Sequence, residues 1–176
     1  ALYGMQVSDS KTIVAAGGKF AYPQDAAETP DTLTTVFEFD DFNIQWEHAN
    51  GIDLGPYGKD HGVAFIGNFG TLVVNRGGWE VIPEKGRMEA VAFQPAVDNG
   101  LEKHMHNFVA AIRAKDPSLL NCPVASGAHI AKLCQMGNIA FKTGKKIAWN
   151  KDTASFDLPE ANKLRQVEYH NGYRLV

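Results

Sequence analysis

The chain of 176 residues holds only two cysteines, Cys122 and Cys134. One disulfide at most is possible, and a scaffold stapled by several bridges is excluded. The expected state is two free thiols in a reducing compartment, with Cys134 on the apolar stripe of a helix and Cys122 in the loop before it. No apolar run approaches the roughly 20 residues that a membrane helix needs, and no signal peptide opens the chain. Net charge is −3 and the basic residues are scattered, so there is no electrostatic footprint for DNA or RNA. Metal-ligand spacing is missing: His104 and His106 stand two apart on a predicted helix, point to different sides and cannot clamp one ion together. No serine or cysteine occupies a G-x-S-x-G elbow, which argues against a hydrolase built on Glu47, His48 and His61. No G-x-G-x-x-G loop lies between a strand and a helix, so nothing here can cradle a dinucleotide pyrophosphate.

What the chain does have is strand pattern. Leu33, Thr35, Phe37 and Phe39 alternate with Thr34, Val36 and Glu38, Asp40-Asp41 intervenes, and Phe42, Ile44, Trp46 and His48 alternate with Asn43, Gln45 and Glu47. A two-residue loop then pairs Phe39 with Phe42, Phe37 with Ile44, Thr35 with Trp46 and Leu33 with His48, all on one face of a hairpin. The next segment carries Val63 and Phe65 on one side and Ala64 and Ile66 on the other, so both sides are apolar. Gly67-Asn68-Phe69-Gly70 turns it into Thr71–Asn75, Arg76-Gly77-Gly78 turns again into Trp79–Ile82, and Pro83 ends the run for want of an N–H. Turns this short forbid parallel crossovers, and the result is an antiparallel meander. Thr12–Ala16 and Lys146–Trp149 are candidate further strands.

Helices follow the meander. Leu101, Met105, Phe108, Val109 and Ile112 predict a helix over 100–115, with a capping box at Asn99 and Glu102 and Pro117 beyond its basic end. Ile130, Leu133, Cys134, Gly137 and Phe141 make a second stripe, with Ser126 as N-cap and Gly144 at the stop. Asp157, Pro159 and Glu160 open a third helix reaching about Gln166. The tail from Val167 to Val176 gives no clear pattern, and 22–31 and 83–99 read as the flexible segments. With 44% hydrophobic content, the expectation is a single α+β domain over 1–176: an open, mainly antiparallel β-sheet with helices packed on one face. Such helices cover only one side of a sheet that is apolar on both. Its second face is therefore either an interface, the favoured reading, or a surface covered by the loops 22–31 and 83–99.

The order Thr32–Phe39, Trp46-Glu47-His48, Gly62–Leu72, His106-Asn107-Phe108 and Gly137-Asn138-Ile139-Ala140 resembles the C-terminal α/β domain of the Gfo/Idh/MocA oxidoreductases, relatives of glucose–fructose oxidoreductase and inositol dehydrogenase. The likeness spans about 30 to 150. It implies a substrate-binding and oligomerisation domain that follows an N-terminal dinucleotide-binding (Rossmann) domain. It also implies NAD or NADP as cofactor of the full-length protein, a sugar, cyclitol or related polyol or carbonyl as substrate, and dimers or tetramers formed through the open sheet. The chain departs from the family in lacking the nucleotide loop. The family's catalytic lysine lies in a Glu-Lys-Pro motif, of which Glu84-Lys85-Gly86 is only a look-alike. Its usual histidine follows an aspartate by four positions, as no histidine here does. The expectation is a fragment cut just after its catalytic motif, with no catalytic and no cofactor-binding residue of its own, inactive alone. Its compartment is cytoplasmic, or periplasmic if an export signal lies upstream.

Candidate substrate contacts are His48, at a strand end beside Trp46, Tyr57 and His61 in the Gly- and Pro-containing loop 49–61, and Arg76 in a Gly-flanked turn. A histidine at a strand end is also a common structural residue, and Arg76 also reads as plain surface. A non-catalytic, sheet-mediated dimerisation or ligand-binding module is the alternative reading of the same pattern.

Overall fold

The computed structural model describes residues 1–166 together with Tyr169, Asn171 and Gly172. Apart from those three residues, the patternless tail lies outside the described residues. In chain order the elements begin with α1 (Leu2–Met5), β1 (Thr12–Gly18), β2 (Thr32–Glu38), β3 (Asn43–Ala49), β4 (Val63–Ile66), β5 (Gly70–Asn75), β6 (Gly78–Pro83) and β7 (Val91–Pro95). They continue with α2 (Gly100–Ala114), α3 (Val124–Thr143), β8 (Ile147–Asn150), β9 (Ser155–Phe156) and α4 (Pro159–Lys163). The fold is α+β, and every strand pairing is antiparallel.

The strands form two sheets rather than one: a five-stranded sheet in the order β3-β2-β1-β8-β9 and a four-stranded sheet in the order β4-β5-β6-β7. The chain divides accordingly into two compact units, residues 2–51 with the chain from 128 onward, and residues 52–127.

In the first unit the β2–β3 hairpin has the register that its alternation requires, with Phe37 opposite Ile44, Thr35 opposite Trp46 and Leu33 opposite His48. The Phe39 N–H donates to the Phe42 carbonyl around Asp40-Asp41. Ile13, Phe37 and Ile147 then lie side by side across three strands, and they are packed with Leu133, Met136, Ile139 and Ala140 of α3. The other face carries Thr34, Gln45 and Glu47 beside Val14 and Val36, which suits a wet surface. At one end Glu38 accepts hydrogen bonds from Lys146 and Thr12 and so joins β2 to β1 and the start of β8. The Lys146 bond first, and the Thr12 bond after it, hold the Glu38 carboxyl below its ordinary range.

The stripe of α3 matches expectation in part, at Leu133 and Gly137. The helix starts at Val124, ahead of Ser126, and its buried residues are Leu133, Met136, Gly137, Ile139 and Ala140. Ile130 and Cys134 are exposed instead. The physical reason is close approach. A Cβ at Gly137 would stand 3.2 Å from Thr35 Cγ2 and 3.3 Å from Phe37 Cζ, so the helix lies close against β2 at this glycine, with Leu133, Met136, Ile139 and Ala140 packed into the core around it. Gly144 ends the helix at φ 63, donating to the Ala140 carbonyl, as a C-terminal glycine does. Cys122 is exposed and both thiols are free.

In the second unit the meander folds as its turns require. Phe65 pairs with Leu72, which pairs in turn with Val81, and Val63 pairs with Val74, which pairs in turn with Trp79. Both sheet faces carry apolar side chains: Val73 is buried on one beside the half-buried Ala64, while Phe65, Leu72 and Val81 are half-buried on the other beside the exposed Trp79. The segment 83–99, expected to be flexible, contributes β7 instead, paired to β6 through a register shift between Trp79 and Val81. Residues 22–31 hold no strand or helix and belong to the first unit. In α2 the Asn99 side chain caps the Glu102 N–H, and Lys115 closes the helix in the left-handed conformation. α4 stops at Lys163. Among the described residues, no helix is long and apolar enough to cross a membrane.

Gly137 and Gly127 lie on the same helix in opposite surroundings, since a Cβ at Gly127 meets nothing within 4 Å. Gly137→Leu is expected to destabilise the fold by about 2 kcal/mol, overpacking outweighing the gain in helix propensity. Gly127→Ala is expected to stabilise it by up to about 1 kcal/mol. Urea unfolding of the two variants checks the contrast, which fails if both shift in the same direction.

Candidate functional site

The four expected contact residues divide between the two units. His48 belongs to the first; Tyr57, His61 and Arg76 belong to the second.

His48 is already bonded on both ring nitrogens. The Trp46 Nε1–H donates to Nδ1 at 3.1 Å, and Nε2 lies 3.3 Å from the Pro30 carbonyl oxygen. Pro30 is held in turn by its neighbour. Asp31, 7% exposed, accepts from the backbone N–H groups of Phe20 (2.9 Å), Ala21 (3.1 Å) and Tyr22 (2.8 Å) and from the Thr32 hydroxyl (2.9 Å). Burial is the largest single influence on this carboxyl and opposes its ionisation. The hydrogen bonds from Tyr22, Phe20, Thr32 and Ala21 together outweigh burial and hold the pKa down to about 2. A cavity of about 80 Å³ opens beside it, lined in part by Tyr22, Asp25, Thr29 and Asn50. That is well short of the roughly 300 Å³ at which ligand pockets begin, and its carboxylate is spent on the loop.

The second unit offers more room. Tyr57 sits inside a single helical turn, Pro56–Gly58, at φ 59 and ψ 20, a left-handed conformation that a non-glycine residue adopts only when its surroundings hold it. Lys59 fastens the same loop to the sheet: its Nζ lies 3.2 Å from Glu80 Oε1 and 4.8 Å from the centre of the Phe93 ring. His61 Nδ1 lies 2.8 Å from Asp60 Oδ1. β4 starts at Val63 opposite Val74, and Arg76 directly follows the end of β5. His61 and Arg76 therefore share one end of the four-stranded sheet.

At that end lies an open depression of about 300 Å³, lined by Val74, Asn75, Arg76, Gly78, Trp79 and the segment from Pro95 to Asp98, with Gly100 at the start of α2. Arg76 is in no ion pair among the described residues, whereas Asp98 is bonded to Lys103. The polar and aromatic side chains around the depression are an indole, a guanidinium, an amide and a carboxylate, from Trp79, Arg76, Asn75 and Asp98. Such a set suits a hydroxylated ligand, with an apolar ring face against Trp79 and oxygen atoms toward Arg76. Tyr57 and His61 are not among the residues lining it.

Trp79, Asp98 and the Lys59–Glu80–Phe93 arrangement escaped the sequence reading because each depends on β7, which no turn signal announces. Asp31 was within reach, as an aspartate closing a Pro-containing loop ahead of a strand. Lys85 lies in a turn closed by the Arg87 N–H on the Glu84 carbonyl at 2.7 Å, with φ 33. Among the described residues, no three His, Cys, Asp or Glu side chains are grouped to hold a metal ion.

No protein-family profile matches this sequence, and no curated protein matches it. Among solved structures, the chain is similar to the Bacillus subtilis protein yvaA, a proposed oxidoreductase, in its triclinic form. The TM-score is 0.60 at 11% identity, over 85% of this chain and 49% of that one. The likeness is one of fold, and this chain spans about half the length of the protein it matches.

Asp31 gives a pH prediction. Its folded pKa of about 2 lies below the ordinary 3.8, so its contribution to stability is fully present above about pH 4 and is lost as pH falls through about 2. Thermal melts of the native chain and of Asp31→Asn are expected to differ by a constant amount from neutral pH down to about pH 5. The gap is expected to narrow between about pH 4 and pH 2; a gap that stays constant to about pH 2 contradicts the assignment.

Proposed function

We propose that the chain is the substrate-binding and oligomerisation half of an NAD(P)-dependent oxidoreductase of the Gfo/Idh/MocA kind, acting on a sugar, cyclitol or related polyol or carbonyl. The observation that carries this reading is the fold likeness to a proposed oxidoreductase over 85% of this chain, taken together with the motif order from Thr32 to Ala140. The likeness extends over half of the longer protein, which leaves room there for a nucleotide-binding half.

In this reading the nicotinamide supplies the hydride chemistry when it is bound by an upstream dinucleotide domain. Catalytic and cofactor-binding groups belong to that domain, and none is assigned to this chain. Arg76 and Trp79 grip and orient the substrate's oxygens and ring face, and Tyr57 and His61 form a polar rim on the same unit. His48 serves by placing Trp46. The apolar second face of the four-stranded sheet suits association between copies of the chain. It would serve equally in a non-catalytic dimerisation or ligand-binding module, the second reading.

Three measurements test the proposal. Calorimetric titration of this chain with NAD and NADP is expected to give no binding, and a micromolar dissociation constant for either would overturn the assignment of the cofactor to another domain. The upstream reading frame separates the two readings: a strand, a G-x-G-x-x-G loop and a helix are expected there, and their absence favours the binding module. In the intact enzyme, Arg76→Ala and His61→Ala are each expected to lower kcat/KM about tenfold or more, with the KM for cofactor unchanged. Unchanged kinetics would remove the residue from the site.

A further inference from the structure

Trp46 and His48 stand two apart on β3 and therefore on one face of the strand. An indole N–H can only donate, so the 3.1 Å contact makes His48 Nδ1 an acceptor. A carbonyl oxygen can only accept, so the 3.3 Å contact with Pro30 makes Nε2 a donor. One state of the ring satisfies both: the neutral imidazole with its proton on Nε2. A second proton, on Nδ1, sets two donors against each other. The bond to Pro30 meanwhile gains charge assistance. Acid thus breaks one link and keeps the other.

The charged groups on the elements bonded to His48 do not substitute for either partner. Asp31 has its oxygens committed to Phe20, Ala21, Tyr22 and Thr32. Lys19 donates to the Asp25 carbonyl, Asp25 accepts from the Ala27 N–H, and Glu47, next in the strand, points to the opposite face. Trp46 is 55% exposed, and the bond to His48 is the one that its indole N–H makes among the described residues.

We propose that His48 is a proton-operated latch on Trp46. Neutral, it holds the indole in one orientation at the β3 edge; protonated, it releases the indole while Pro30 stays attached. His48 is a positioning residue in this role, and the latch requires no particular substrate or reaction.

The test is nuclear magnetic resonance on the 15N-labelled chain. At about pH 8 the imidazole nitrogen shifts of His48, assigned by their loss in His48→Gln, are expected to report the proton on Nε2. The Trp46 indole signal, assigned by its loss in Trp46→Phe, is expected to move upfield on acidification from about pH 8 to about pH 5. In His48→Gln the Trp46 signal is expected to stay in place over the same range. A proton on Nδ1 at about pH 8, an indole signal that does not move, or the same movement in His48→Gln would each overturn the latch. The first two are read on the native chain and do not depend on the folding of a variant.

Discussion

The first unit depends on how near α3 can come to β2. With hydrogen as its side chain, Gly137 lets the helix settle against Thr35 and Phe37 at a separation that a larger residue would prevent. Leu133, Met136, Ile139 and Ala140 then reach the same apolar floor as Ile13 and Ile147, both of which are completely buried. Dispersion contacts fall off steeply with distance, so a looser helix would forfeit much of this packing. Once β2 is clamped, its two ends are placed as well: Glu38 where Lys146 and Thr12 can reach it, and Asp31 where it gathers the backbone of Phe20–Tyr22.

The second unit is held by turns and by close backbone approach. Gly78 is the sharpest case. At φ 149 it sits where an added Cβ would lie 2.0 Å from the Gln94 carbonyl oxygen, so at this position β6 can approach β7 only with a glycine. That meeting brings Pro95, Ala96 and Asp98 around to Arg76 and Trp79. The candidate site thus rests on a backbone constraint several residues away from the side chains that would touch a ligand. The Lys59–Glu80 pair is partly shielded and also stacked on Phe93, which gives it more weight than the usual exposed ion pair.

The hairpin register was legible because a period of two and a two-residue loop leave one alignment that keeps Leu33, Thr35 and Phe37 on the same side. The caps of α2 were legible for a similar reason, since Asn99 and Glu102 stand at the spacing that capping uses. The face of α3 was legible only in part, at Leu133 and Gly137. Ile130, Cys134 and Phe141 make a helical stripe as regular as that of Leu133, Met136 and Ala140, and only the sheet decides which is buried. β7 was hidden by its length and by Pro95. The division into two sheets was hidden by the 49–61 connection, whose three glycines and one proline fit a strand-to-strand loop and a change of sheet equally well. Of the site residues, Arg76 was visible as a cation in a tight turn. The engagement of His48 was not, because its second partner, Pro30, is 18 residues away.

The carboxylate of Asp31 has one more consequence. It draws together the two ends of the loop that runs from Tyr22 to Pro30, so the tip is tied off at its neck. The strands beneath are insulated from whatever sequence the tip carries. Lengthening a loop closed in this way costs little, about 0.6 kcal/mol for each doubling. Residues 23–29 are therefore where this fold can accept an insertion, or a grafted recognition peptide, without disturbing the layer below.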